Sequence, residues 1–344
     1  MKKILLIIDG MEDEPIPALG NIAPKEAAYM PGLDFMRLRG QMDKVSTIPA
    51  GCTPSTDVAL LSLLECKIPR SISSRSWLEA LGMGVDVGDS DLCLRCNLIS
   101  HDGGILLSHC GDGVSDNESR GIIDFLNSRL GGGRLRFYHG TGYRNLLVVK
   151  DCHAQVSARA PHDLLGHPVG ELCVASPDSG LAAALNRCID DAMKLLHGRR
   201  SNGIALWSPG RRLSLDRRIG GAVVAGVDLV KGIGRAVGMD VVDVAGATGN
   251  VDTDCAAKCR AALAALADHD MVLIHVEGPD EASHRLDFME KVAMLERIDR
   301  DIITPLLKSG MDIELTVQAD HGTSSLTGRH LDCMVERVTY ISGS

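Results

Sequence analysis

The run Ile4-Leu5-Leu6-Ile7-Ile8, closed by Asp9-Gly10, constrains the fold more than any other stretch. It is short, continuous and apolar rather than alternating. That is the pattern of a strand buried on both faces of a parallel sheet. Stretches 43–48, 203–207, 221–227, 240–244, 270–276 and 313–317 read as further short strands. Helical patterns at 32–39, 181–196, 230–237, 255–266 and 290–307 fall among them. Strands and helices in alternation build an open α/β sheet. Such sheets carry their chemistry at the carboxyl ends of the strands, so the residues that close each strand are the first candidates for a site.

One part of the chain departs from that rhythm. Strand-like 92–99 turns at His101-Asp102-Gly103-Gly104 into 105–107, a helix covers 117–130, and two more strands, 135–139 and 144–149, flank Gly140-Thr141-Gly142. Hairpin signals of this density indicate an antiparallel arrangement. The expectation is a small inserted α+β domain at 93–172, interrupting a core domain made of 1–92 and 173–344.

A chain of 344 residues has room for about two domains. Its 45% hydrophobic and 24% charged residues are those of an ordinary globular protein with a substantial core. A net charge of −9 and 3% aromatic residues argue against nucleic acid or an anionic membrane as the main partner. The N-terminal apolar run is shorter than a signal-peptide core and ends at Asp9. No run approaches the roughly 18 residues of a bilayer span. The expected location is therefore the cytoplasm. The eleven cysteines are scattered and odd in number, which favours reduced core thiols over disulfides. Cys93-Leu94-Arg95-Cys96 has no second pair and does not read as a zinc site.

Four strand-end loops bring chemistry. Asp9 follows the first strand; Asp280 follows 270–276 with His284 one helical turn on; Asp320-His321 follows 313–317, with His330 beyond. Ser55-Thr56-Asp57 opens a helix after a Gly/Pro loop. Each piece alone has a plainer reading, as a turn Asp, a helix cap or a surface His. In a parallel sheet, however, these loops share one edge. Seven potential ligands (Asp9, Thr56, Asp280, His284, Asp320, His321 and His330) exceed the four of a structural zinc. Mixed carboxylate and imidazole donors around two ions suit phosphoryl transfer, and a hydroxyl at a helix N-terminus suits a phosphoryl acceptor.

The motifs also carry a resemblance. Met1–Pro24 contains IIDGM…ALGN…P; PSTDVALLSLL surrounds Thr56; RCNLIS begins at Arg95; YRNLLV begins at Tyr143. GVDLVKGIG, GATG…DT, HVEGPDEASH and ADHGT…H come next, in order, to His330. This pattern resembles the alkaline phosphatase superfamily, and closely the archaeal-type, cofactor-independent phosphoglycerate mutases. The resemblance implies a three-layer α/β sandwich around a mainly parallel sheet. It implies two divalent ions (Mn²⁺, Zn²⁺, Co²⁺ or Mg²⁺), one on Asp280, His284 and His330 and the other on Asp9, Asp320 and His321 with the nucleophile hydroxyl. Thr56 would be that nucleophile, with Ser55 the alternative one residue away. Lys231 would neutralise phosphoryl charge, and Arg95, Asn97 and Arg144 would bind substrate, with the inserted domain closing over it.

The implied reaction is the interconversion of 3- and 2-phosphoglycerate through a phosphorylated Thr56, with a small phosphorylated metabolite as the partner. This chain departs from the family in having Ser55-Thr56 where Gly-Ser is usual, in being shorter between Asp151 and Gly203, and in lacking Asp-Pro-Val-Pro after His330. A related phosphotransferase or phosphatase acting on another small hydroxy acid or amino acid, such as a homoserine kinase, stays open. So does a non-catalytic metal-binding regulator. No G-x-x-x-x-G-K-[ST] loop is present for ATP.

Overall fold

The computed structural model describes residues 1–67, 74–216 and 218–342. It consists of two compact units, Met1–Ile72 with Leu215–Ser344, and Ser73–Ser214. In chain order the first unit begins with β1 (Lys2–Ile8), α1 (Pro31–Arg39), β2 (Gln41–Val45) and α2 (Thr56–Leu63). The second unit holds α3 (Arg75–Gly82), β3 (Leu92–Asp102), β4 (Ile105–Ser108), α4 (Asp116–Leu130), β5 (Leu135–Thr141), β6 (Arg144–Val149), α5 (Ser179–Leu195) and β7 (Gly203–Gly210). The chain then returns to the first unit with β8 (Ala222–Val224), α6 (Asp228–Val237), β9 (Asp240–Val241), α7 (Cys255–Ala265), β10 (Met271–Val276), α8 (Gly278–His284) and α9 (Phe288–Ile298). It ends with β11 (Ile313–Gln318), β12 (Gly322–Thr323), β13 (His330–Leu331) and β14 (Val335–Ile341).

The first unit is built on a seven-stranded sheet in the order β9-β8-β10-β1-β11-β14-β2. The links from β9 through β11 are parallel, and β14 alone runs against its neighbours on both sides. The apolar strands take the central places for a physical reason: Ile4, Leu6, Ile8, Val272, Ile274, Val276, Leu315 and Val317 are all buried in one core with α7 and α9. Each such side chain contributes about 1.5–3 kcal/mol by leaving water. Register decides what stands at the sheet edge. Ile7 pairs with His275 on one side and Gln318 on the other. Two residues further on, the same register sets Asp9 level with Glu277 and Asp320. Side chains alternate along a strand, so all three point to one face with His275 and Gln318.

The second unit is an antiparallel sheet, β4-β3-β6-β5, with β7 on β3. Its limits are wider than the 93–172 expected from sequence. The reason is β7, which pairs with β3 from Ile99↔Gly203 to Cys93↔Gly210 and so belongs to this sheet rather than the parallel one. Helix α5 packs on β7, and its Leu185, Cys188, Ile189 and Ala192 are buried with Leu94, Leu98 and Leu206.

Two other details differ from the sequence reading. Strand β2 covers Gln41–Val45 rather than 43–48. The helix expected over 290–307 is interrupted by a π-turn at Asp299–Ile303. That turn precedes Pro305, whose missing N–H breaks the regular ladder. It also aims Asp299 at α1, where its carboxylate accepts from Gly32 N at 2.9 Å and Leu33 N at 2.8 Å. All eleven cysteines are free thiols, and burial pushes those of Cys93 and Cys188 up to about 12. Among the described residues no helix is long and apolar enough to cross a membrane.

Candidate metal centre

The strand-end candidates of the first unit converge. Asp9 follows β1, Asp320 and His321 follow β11, and Asp280 and His284 lie i,i+4 on α8, hence on one face of it. The Asp9-Gly10 turn is obligatory. Gly10 has φ +65°, and a Cβ there would sit 2.8 Å from Thr323 Oγ1 and 2.9 Å from Asp280 Oδ1.

Asp280, His284 and His330 form a small triangle. His284 Nε2 is 3.0 Å from Asp280 Oδ2, His330 Nε2 is 3.7 Å from Asp280 Oδ1, and the two Nε2 atoms are 3.2 Å apart. Each ring is oriented from behind, His284 by Nδ1 to Gly328 O at 2.8 Å and His330 by Nδ1 to Pro54 O at 3.1 Å. A ring that donates from Nδ1 and is neutral carries its lone pair on Nε2. Backbone carbonyls in this role are what fix the tautomer of metal-ligating histidines.

Asp9, Asp320 and His321 form a second group. His321 Nε2 lies 3.5 Å from Asp9 Oδ1, 3.5 Å from Asp320 Oδ2 and 3.5 Å from Thr56 Oγ1. Its ring stacks on that of His330, with centroids 4.1 Å apart. Ligand atoms of Asp280, His321 and His330 also fall within 4.8 Å of one another, so His321 stands between the two groups. Thr56 is the first residue of α2 and is buried. Ser55 occupies the N-cap position, yet its side chain makes no capping bond.

The electrostatics fit cations. Burial, then the charges of Asp320 and Asp280, hold the Asp9 carboxyl well above its ordinary range. Asp320 is also buried, but His321 and His275 bring it down to about 2. Asp280 is lowered against its burial by the hydrogen bond and charge of His284 and by the charges of His321 and His330. His284 is raised to about 9 by its hydrogen bond to Asp280, whereas burial and the nearby His321 lower His330. Asp9 Oδ1 and Asp320 Oδ2 are buried with no hydrogen-bond partner among the described residues. Unpaired buried oxygens of this kind are costly, and a divalent ion would satisfy them. The donors are hard oxygens and imidazoles, a set that suits Mn²⁺, Zn²⁺ or Co²⁺.

Several residues of this neighbourhood stand outside the ligand set read from sequence. Thr323 Oγ1 donates to Asp280 Oδ1 at 2.5 Å. Fully buried Lys291 donates to Asp13 at 2.8 Å and to Thr323 O at 2.9 Å. His275, Glu277 and Lys258 form a buried chain beneath Asp9 and Asp320. His275 opens the HVEGPDEASH motif, and an imidazole inside the apolar strand 271–276 is a second signal that could have marked it. A lysine buried in a helix leaves no such trace.

The remaining candidates have other partners. Lys231, on α6, pairs with Asp243 at 3.2 Å. In the second unit Arg95 is buried, pairs with Glu79 at 3.1 Å and lies 4.6 Å from the Trp207 ring centroid. Asn97 Oδ1 accepts from Trp207 Nε1 at 3.1 Å. Arg144 lies over Tyr143. The register opposes Asn97 to Arg144 and Arg95 to Trp207, so the four share one face of the sheet.

A protein of Methanothrix thermoacetophila named 2,3-bisphosphoglycerate-independent phosphoglycerate mutase is 34% identical to this chain, over 94% of the chain and 86% of that protein. The chain belongs to the 2,3-bisphosphoglycerate-independent phosphoglycerate mutase family. A Methanothermobacter thermautotrophicus protein named 2,3-bisphosphoglycerate-independent phosphoglycerate mutase 2 is 36% identical over 94% of the chain and 84% of its own length. The family model with that description matches residues 38–202. Two solved structures share the fold. The PH0037 protein of Pyrococcus horikoshii covers 99% of this chain and 88% of its own, with TM-score 0.80 and 24% identity. The cofactor-independent phosphoglycerate mutase of Thermoplasma acidophilum covers 100% and 90%, with TM-score 0.58 and 23% identity. The α/β architecture with a mainly parallel sheet is thus the architecture of this mutase family.

Proposed function

We propose that this chain interconverts 3- and 2-phosphoglycerate with Thr56 as the phosphoryl carrier. The relatives' names support the reaction. The observation that carries the mechanism is Thr56 Oγ1, 3.5 Å from His321 Nε2, at the junction of two metal-ligand groups. Asp280, His284 and His330 would hold one ion; Asp9, Asp320, His321 and the Thr56 hydroxyl would hold the other. When bound, two divalent ions supply positive charge that favours an ionised nucleophile and offsets the charge of the phosphoryl oxygens.

The chain's own part is set by its residues. Thr56 Oγ attacks phosphorus and loses its proton. The bond from phosphorus to the C3 oxygen of 3-phosphoglycerate breaks, and that oxygen takes up a proton. Glycerate then offers its C2 hydroxyl to the phosphothreonine, that hydroxyl proton is released, and Thr56 is regenerated. Splitting one transfer into two covalent steps needs no second substrate. The N-terminal position of Thr56 on α2 directs free backbone N–H groups at the phosphoryl group. The side chain is β-branched and stiff, which favours a single rotamer. Arg95, Asn97 and Arg144 are assigned to the substrate's anionic groups, supported by their common face; Arg suits bidentate contacts with carboxylate or phosphate. Lys231 is assigned to phosphoryl charge on its KG motif alone.

Phosphorus NMR of the protein with 3-phosphoglycerate and Mn²⁺ tests the reading. The 2-phosphoglycerate signal should grow in, and Thr56→Ala should abolish it. Free phosphate as the sole product would indicate a phosphatase, and an unchanged spectrum would remove the mutase reading.

A further inference from the structure

A buried polar chain runs beneath the Asp9 and Asp320 carboxylates. Lys258 and His275 are fully buried, and Glu277 nearly so. Lys258 Nζ donates to His275 O at 2.8 Å and to Glu277 Oε2 at 3.0 Å. Glu277 Oε1 is 3.0 Å from His275 Nδ1. A carboxylate locked by a lysine accepts, so His275 Nδ1 donates to it; with two further carboxylates facing Nε2, a second proton there makes the ring an imidazolium that donates from both nitrogens. The opposite nitrogen, Nε2, has no hydrogen-bond partner among the described residues. It stands 3.7 Å from Asp9 Oδ2 and 3.9 Å from Asp320 Oδ2.

Two partnerless buried atoms, His275 Nε2 and Asp320 Oδ2, therefore face each other at 3.9 Å, with Asp9 Oδ2 3.7 Å from the same nitrogen. Lys258 and Glu277 cancel each other's charge, leaving two carboxylates faced by one imidazole. Register separates the roles. His275 pairs with Ile7, two residues short of the level of Asp9. It lies within strand β10, whereas His321 follows β11 and Thr56 opens α2. We propose that His275 is a positioning residue that holds Asp9 and Asp320 through Nε2–H, and that the Lys258–Glu277 pair aims it. The proposal rests on the two-ion reading above and assigns a role to a residue that the reaction itself does not use.

Metal titration of His275→Asn and His275→Gln with Mn²⁺ tests this against wild type. Asn can keep the contact to Glu277 but cannot reach the carboxylates; Gln places its amide nitrogen near the position of Nε2. Partners of metal ligands typically govern affinity by about 10–100-fold. Wild type should bind two ions, His275→Asn should bind one of them about 10–100-fold more weakly, and His275→Gln should recover most of the loss. Equal weakening in both variants would mean a merely structural role, and unchanged binding in both would mean none; either overturns the proposal. A wild type that binds fewer than two ions would overturn the two-ion reading instead.

Should the variants fail to fold, wild type answers alone. In nitrogen-15-labelled protein loaded with cadmium-113, His321 should couple to the metal while His275 keeps its Nε2 proton and shows no coupling. Metal coupling at His275 would make it a ligand and contradict the proposal.

Discussion

The Nε2 atoms of His284 and His330 face each other at 3.2 Å, while both Nδ1 atoms are held by backbone carbonyls. Asp280 raises His284 to about 9, so without an ion that ring holds a proton at Nε2, and a divalent ion would take that proton's place between the two rings. Removing metal should therefore lower stability, and divalent ion should restore it. At a free ion concentration of about one hundred times Kd, each bound ion adds about 2.7 kcal/mol. Calorimetry of chelator-treated protein before and after Mn²⁺ checks this. His284→Ala should bind one ion fewer. A melting temperature indifferent to Mn²⁺ would count against the paired histidines as a ligand set.

Asp280 is held from the other side by Thr323 Oγ1 at 2.5 Å. Thr323→Val keeps the shape and removes the hydroxyl. Hydrogen bonds to charged groups are worth about 1.5–3 kcal/mol. We expect a loss of that order in urea unfolding of the metal-free protein, together with weaker Mn²⁺ binding. An unchanged unfolding midpoint would show that the carboxylate needs no such anchor.

Acid should expose the Lys258–Glu277 pair. Burial alone would raise the Glu277 carboxyl, but Lys258 and then His275 hold it at about 2, below the ordinary value of about 4.3. Its folded pKa is depressed, so its contribution is complete above the unfolded pKa. It is lost as pH falls from about 4.3 through about 2. Metal-free wild type should lose stability over that window. Glu277→Gln should be weaker by about 3–5 kcal/mol at neutral pH, because it strands the Lys258 charge, and the gap should narrow as the wild type is acidified. Parallel stability curves between pH 5 and 2 would exclude this pairing.

His321 stands in both ligand groups, which makes it the most exacting single site. His321→Ala should empty the position at Asp9 and Asp320 first and stop phosphoryl transfer to protein, with the fold intact by circular dichroism. Two ions still bound with unchanged affinity would separate His321 from the metal centre.

Much of this architecture is legible in sequence because parallel strands are so simply written. Ile4 to Ile8 and Val272 to Val276 are apolar almost throughout, and the residues that close these strands stand at the sheet edge. That is why Asp9, Asp280 and Asp320 could be brought together without coordinates. The limits of the second unit were harder. Gly203 to Trp207 is as apolar as a parallel strand, and only its pairing with β3 assigns it to the antiparallel sheet. The buried supports were hidden for another reason. A lysine within a helix carries no mark of burial in sequence, and only tertiary packing makes Lys258 and Lys291 interior cations with partners. Ser55 shows the converse: its place before α2 suggests a cap, and the structure gives its side chain no capping bond.

The most direct measurement is the site of covalent phosphate. Protein mixed with 3-phosphoglycerate and Mn²⁺, then quenched and digested, should carry a phosphate ester on Thr56 in peptide mass spectra, and Thr56→Ala should carry none. Phosphate on Ser55, or mutase turnover with no phosphorylated peptide in wild type and full activity in Thr56→Ala, would contradict Thr56 as the phosphoryl carrier.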